Sequence, residues 1–187
     1  MSRTEQPATD AALSMAVPLR ADTVAGRILA VLVADGVDSV EIDAMRSAFE
    51  AHGGGIKIIA PNIGFVTDAT RDTVAVDHSF ATVGSVLFDA AYIPGGLSAT
   101  TLCNNPHAVL FVKEAYKHGK AIALSGEGMA LLKKAAISAG LANGKFAGPG
   151  IVVANGKNAH AGFARNVAAA VAEHRFPIRE DIDLIVA

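Results

Sequence analysis

The chain has 187 residues, 51% of them hydrophobic and 18% charged, with a formal net charge of −2. That suits one domain with a real core plus an extra segment, and it excludes a disordered chain. It also leaves no basic field for nucleic acid or anionic lipid, and with no Trp and two Tyr there are few platforms for stacking bases.

Residues 1–25 are rich in Ser, Thr, Pro and Ala without a period and read as a linker or N-terminal arm; residues 26–187 read as the domain. The apolar stretch at 11–19 is short and follows Glu5 and Asp10 rather than a basic region, unlike a secretory signal. No apolar run approaches the roughly 20 residues that span a bilayer. A soluble cytoplasmic protein is the expectation.

Ile28-Leu29-Ala30-Val31-Leu32-Val33 is a continuous apolar run, as in a strand covered on both faces. A helix follows, with Asp38 and Glu41 spaced as in a capping box, and Gly53-Gly54-Gly55 ends it. Residues 56–60 form a second strand, and 65–77 a hairpin or edge excursion. Ala90-Ala91-Tyr92-Ile93 is a third strand, stopped by Pro94-Gly95-Gly96. Cys103 falls in a loop, residues 106–118 form a helix, and 120–125 a fourth strand. Gly126-Glu127-Gly128 turns into a helix over 129–139; 150–154 is a fifth strand and 162–174 the last helix.

Strands alternating with helices at short spacing predict an α/β fold: a doubly wound parallel sheet with helices on both faces, a three-layer sandwich in the flavodoxin-like order. Sites in such sheets lie beyond the carboxyl ends of the strands. Those ends are 35–41, 95–98 and 125–128.

The turn after Leu124 is the most suggestive feature. A sharp strand-to-helix turn can present a nucleophile beside helix N-terminal amides, and Ser125 stands there. A serine hydroxyl needs a base, and His160, in a loop before the last helix, is the histidine placed to approach. The alternative for Ser125 is a hydroxyl that ends a strand and caps a helix. Glu41 is the second candidate, either reaching across the site or serving as capping-box partner of Asp38. Gly95, Gly96, Gly126 and Glu127 would supply the pocket backbone. Gly126-Glu127-Gly128 falls short of a dinucleotide fingerprint: the third glycine is missing, and no acidic residue ends the second strand. No Cys/His cluster has zinc spacing, and Cys103 is the sole cysteine.

Several stretches resemble a known family. Lys113-Glu114-Ala115-Tyr116-Lys117-His118-Gly119-Lys120-Ala121-Ile122-Ala123-Leu124-Ser125-Gly126 looks like a run in the C-terminal domain of large-subunit catalases. So do the segments 26–37, 88–96 and Ala172-Glu173-His174-Arg175. That domain is similar to the DJ-1/PfpI branch of the class I glutamine amidotransferase superfamily, which implies a flavodoxin-like fold. The resemblance implies that Ser125 stands where the active branch has its nucleophilic Cys and Glu41 where it has the acid contacting that Cys. Gly95 and Gly96 match the turn beside the site. The segment carrying the catalytic His in active relatives looks truncated, since Lys145-Phe146-Ala147-Gly148-Pro149-Gly150 holds no His.

The resemblance also bears on haem. A catalase core ligates iron through Tyr, with Arg four residues earlier; here Phe88 and Val112 precede Tyr92 and Tyr116 at that distance. The expectation is therefore no cofactor in this chain, haem belonging to a catalase core if one is attached. The expected function is a non-catalytic accessory domain in peroxide defence, stabilising or chaperone-like. Its partners would be a catalase core, unfolded clients or further copies of itself. The alternative is a residual DJ-1/PfpI-type hydrolase or small-molecule-binding protein using Ser125.

Overall fold

Side chains of the first strand divide between two cores. In β1 (Ile28–Leu32), Ala30 and Leu32 pack to one side while Leu29 and Val31, with Val33 just beyond, pack to the other. Period-two alternation in a fully apolar run requires cover on both faces, and both faces are covered. The computed structural model describes residues 23–137, 141–142, 145–146, 148–154 and 160–179.

The elements follow in chain order. After β1 come α1 (Ser39–Glu50), β2 (Gly55–Ala60), the antiparallel hairpin β3 (Gly64–Thr67) and β4 (Thr73–Val76), and β5 (His78–Ser79). Next are β6 (Ala90–Ile93), α2 (Ser98–Cys103), α3 (Pro106–Lys117) and β7 (Ala121–Leu124). A 3₁₀ turn over Gly126–Gly128 then leads into α4 (Met129–Lys134). The hairpin β8 (Leu141–Ala142) and β9 (Lys145–Phe146), β10 (Ile151–Val153) and α5 (His160–Ala172) complete the series.

The central sheet runs β10-β7-β6-β1-β2-β5, every pair parallel. Its first five strands have the expected flavodoxin-like order. The sixth, β5, is two residues at the edge beside β2, too short to leave a periodic signal.

One core, with Phe111, Tyr116, Leu131 and Leu132, lies under α2, α3 and α4. The other, with Ile42, Met45, Phe49, Phe163 and Val167, lies under α1 and α5. On that second face β7 contributes only Ala121 and Ala123, and β6 contributes Ala90 and Tyr92. The tyrosine is thus a large polar-tipped side chain beside the alanines of β7, with the Phe163 ring 5.7 Å from its own.

Caps account for the helix starts. Asp38 accepts from the amides of Val40 and Glu41, and Asn105 accepts from His107 and Ala108 ahead of Pro106. Three expectations need correction. Cys103 ends a helix rather than lying in a loop, because α2 buries Ala99 and Leu102 despite its β-branched Thr100 and Thr101. The helix expected over 129–139 stops at Lys134, since Ala136 takes a left-handed φ of 57°. The last helix spans 160–172 rather than 162–174; His174 has φ 71°.

Beyond α5, residues 173–179 pack against the end of α3, the start of β7 and the approach to β10. The Phe176 amide donates to the Gly119 carbonyl, and the buried Arg179 guanidinium donates to the carbonyls of Tyr116, Lys120 and Pro149. Among the described residues no helix is long and apolar enough to cross a membrane.

Candidate functional site

Three elements converge at the carboxyl ends of the central strands. β6 brings Tyr92 and then the Gly95–Gly96 turn, β7 brings Ser125, and the first turn of α1 brings Glu41. Ser125 Oγ donates to Glu41 Oε2 at 2.5 Å. Tyr92 Oη donates to the same oxygen at 3.1 Å and lies 3.0 Å from Ser125 Oγ. The Gly95 amide points into the centre, 2.9 Å from Glu41 Oε2 and 3.0 Å from Ser125 Oγ. Alongside, the Gly96 amide donates to Glu127 Oε2 at 2.8 Å.

The backbone explains the convergence. Gly96 has φ 100°, and a Cβ there would sit 2.4 Å from the Gly36 carbonyl oxygen. The chain leaving β1 therefore crosses directly over the turn after β6, and only glycine permits that approach. The Asp38 amide donates to the Gly95 carbonyl, locking the start of α1 to the same turn. Glu41, one helical turn on, is thereby carried over the strand ends.

Ser125 follows β7 and stands at the N-cap position of the 3₁₀ turn, with the extended backbone usual there (φ −130°, ψ 154°), but its hydroxyl makes no cap hydrogen bond. The left-handed residue of the turn is Gly126, with φ 45°. The usual strain of a nucleophile elbow therefore falls on a glycine, not on the residue in the nucleophile position. The capping-box reading of Glu41 fails. Asp38 caps α1, but the Glu41 side chain turns inward instead of returning to the Asp38 amide.

The chemistry of the cluster follows from its hydrogen-bond count. A serine hydroxyl has one proton and two lone pairs. Here the hydroxyl donates its proton's hydrogen bond to Glu41, the Gly95 amide donates toward a lone pair, and the Tyr92 oxygen, itself donating to Glu41, lies 3.0 Å away. Ser125 is only 2% exposed. Burial pushes the Tyr92 phenol far above its ordinary value; the Ser125 hydrogen bond opposes this and the Glu41 charge adds to it. The phenol is thus held protonated, as a donor.

His160 opens α5, but its side chain lies outside the described residues. Among the described residues no histidine hydrogen-bonds Ser125 Oγ. Nor does any group of three or more His, Cys, Asp or Glu in that set converge as metal ligands would. Burial raises the pKa of the Cys103 thiol against the pull of Lys134, which disfavours its thiolate. Gly95, Gly96, Gly126 and Glu127 do meet around the turn, a Cβ on Gly95 falling 3.4 Å from Glu127 Oε2 and 3.6 Å from the Gly126 Cα. Tyr92 was missed. The available signal was a buried phenol in an alanine-rich strand, whose hydroxyl requires a partner.

Known proteins resemble this chain at two levels. The family model described as the C-terminal domain found in long catalases matches residues 25–180. Catalase HPII of Mycobacterium avium is 39% identical over 160 residues, covering 82% of this chain and 23% of the relative. Catalase-2 of Bacillus subtilis (strain 168) is 35% identical over 167 residues, 89% of this chain and 23% of the relative. The chain thus spans about a quarter of the length of these relatives. Among solved structures, a ThiJ/PfpI domain protein from Brachyspira murdochii has a TM-score of 0.68 at 22% identity, covering 77% of this chain and 95% of that one. Schizosaccharomyces pombe DJ-1 has a TM-score of 0.65 at 20% identity, covering 74% and 88%. At such identities the likeness is one of fold.

Proposed function

The chain belongs to the family of C-terminal domains found in long catalases, and on that premise we propose that it is a non-catalytic accessory domain serving peroxide defence. Its work is to stabilise a catalase core or its oligomer, and its partners are that core and further copies of itself. The observation that carries this reading is the closed state of the Ser125 hydroxyl. Its lone pairs face the Gly95 amide and the Tyr92 hydroxyl at a position 2% exposed, so attack on a carbonyl would require displacing those contacts and opening a buried site.

Support for docking comes from exposed apolar side chains. Val86 and Leu87 stand 76% and 61% exposed on one 3₁₀ turn. Such neighbours suit burial against a partner. A chaperone-like hold on unfolding clients draws on the same surface and is the finer form of this proposal.

The test joins this chain to a catalase core of the long class and follows peroxide turnover during heating, with and without the domain. The expected result is slower inactivation with the domain attached. Equal inactivation rates overturn the stabilising role. Citrate synthase aggregation, unchanged by excess chain, removes the chaperone-like form. Ester, amide and glyoxal substrates decide the residual-enzyme alternative: turnover abolished by Ser125→Ala would establish it in place of this reading.

A further inference from the structure

We propose that the cleft between α3 and the ends of α2 and α4 binds a small organic carboxylate with a short apolar body. The site lies outside the Ser125 cluster and goes beyond the accessory role proposed above.

Three elements form the cleft. One face of α3 supplies Pro106, Val109, Leu110 and Lys113, at the i, i+3, i+4, i+7 spacing that aligns side chains along a helix. The last residue of α2 supplies Cys103, and the last residue of α4 supplies Lys134. The volume, about 470 Å³, falls within the roughly 300–1,000 Å³ of small-molecule sites.

The wall and the rim suit different halves of one ligand. Pro106, Val109 and Leu110 make an apolar wall, and Leu110 stands 40% exposed while the next residues, Phe111 and Val112, are buried. Apolar side chains left uncovered in a concavity favour an apolar occupant. Lys113 and Lys134 bring ammonium groups to the rim, and among the described residues no Asp or Glu lines the cleft. The Lys134 ammonium makes no hydrogen bond or ion pair among the described residues. Its charge is felt at the Cys103 thiol, where it pulls against the effect of burial.

These features select a ligand class. Lysines act as point charges rather than planar forks, so they select negative charge and not a bidentate outline. A bare inorganic anion would leave the apolar wall uncovered. A cationic chain would be repelled at the rim, and a neutral one would gain nothing from the ammonium groups. A carboxylate carried on a short hydrocarbon chain matches both wall and rim.

The chain's one cysteine is a built-in reporter, because Cys103 is half-buried in the wall of the cleft. Its alkylation by neutral iodoacetamide is followed by mass spectrometry in the native chain with sodium hexanoate. The controls are sodium acetate at matched ionic strength, hexanamide and hexylammonium chloride. Hexanoate is expected to slow alkylation saturably, by several-fold, while the controls leave the rate near that without ligand. In Lys134→Gln, a change at an exposed position, half-protection should require several-fold more hexanoate. Each protein is compared with its own unliganded rate, because this lysine also acts on the thiol. The amide resonances of Val109 and Leu110 in the ¹⁵N-labelled chain give a second readout that needs no thiol, and they should shift saturably with hexanoate. Absence of both protection and a saturable shift overturns the proposal. So does an equal effect of acetate or hexylammonium, or undiminished binding in the double variant Lys113→Gln/Lys134→Gln.

Discussion

The guanidinium of Arg179 lies 4.1 Å from the centre of the Tyr116 ring while donating a hydrogen bond to the Tyr116 carbonyl. One side chain thereby stacks on and binds the residue near the end of α3. Its other donors reach Lys120 O at 2.7 Å and Pro149 O at 3.1 Å, which ties α3, the start of β7 and the approach to β10 together. Tyr116 is fully buried and Arg179 is 5% exposed.

Arg179→Met is expected to be among the most damaging single changes in the described chain. It takes the guanidinium donors from the Lys120 and Pro149 carbonyls and removes the stack, a loss of about 2–4 kcal/mol. Urea denaturation measures it. Arg179→Lys should recover only part, because an ammonium cannot reproduce the planar fork. A midpoint for the methionine variant equal to wild type would mean that residues 173–179 contribute nothing to the fold.

Ser125 and Tyr92 should couple through the polar cluster. Ser125→Ala removes a donor and leaves the Tyr92 and Gly95 donors sharing Glu41, at a cost of about 1–3 kcal/mol. Tyr92→Phe should cost a similar or smaller amount. In a double-mutant cycle the two changes are expected to be less than additive, with a coupling of about 0.5–1.5 kcal/mol. Strict additivity would show that the 3.0 Å contact between the hydroxyls carries no energy.

Lys120 makes the stability pH-dependent on the alkaline side. Its ammonium is buried and donates to the carbonyls of Ser85 and Phe88 at 2.5 and 2.6 Å. Burial, with Arg175 adding, pushes its pKa from the ordinary 10.5 down to about 8 against the pull of Asp89 and Glu114. Below that value the proton is bound in both states, and the folded state carries the full penalty of a buried charge. Between about 8 and 10.5 the unfolded chain binds more protons than the folded one, so this group's contribution to stability rises with pH. Comparing denaturation free energies of wild type and Lys120→Met at pH 7 and pH 10 isolates the effect. The difference between the proteins should change across that interval in the direction favouring wild type at high pH; a constant difference contradicts the assignment.

Ser98 runs the other way. Its hydroxyl is fully buried in α2 with no hydrogen-bond partner among the described residues. Ser98→Ala removes an unpaired polar group and favours helix, so it should be neutral or stabilising by up to about 1 kcal/mol. A clear loss of thermal stability would reveal a partner for that hydroxyl.

Legibility from sequence divided along physical lines. The strands at 28–32, 90–93 and 121–124 were readable because burial on both faces of a parallel sheet demands unbroken apolar runs. The start of α1 was readable because caps are local, with Asp38 serving amides two and three residues on. The two-residue β5 and the six-residue α2 were not, since neither is long enough to show a period.

The sequence by itself determined an α/β chain whose strands end in glycine-rich turns, with Glu41 and Ser125 near those ends. Only the tertiary structure decided what the two residues do. They stand 84 positions apart, and whether the Glu41 carboxyl caps its own helix or receives the Ser125 proton depends on how the chain after β1 crosses the Gly95–Gly96 turn. A cap closes over three residues and is written locally, whereas a polar cluster shared by three elements exists only once parallel strands are aligned side by side. Tyr92 belongs to that cluster for the same reason. Its place in a strand could be read from its neighbours, but its hydroxyl's partners come from α1 and β7.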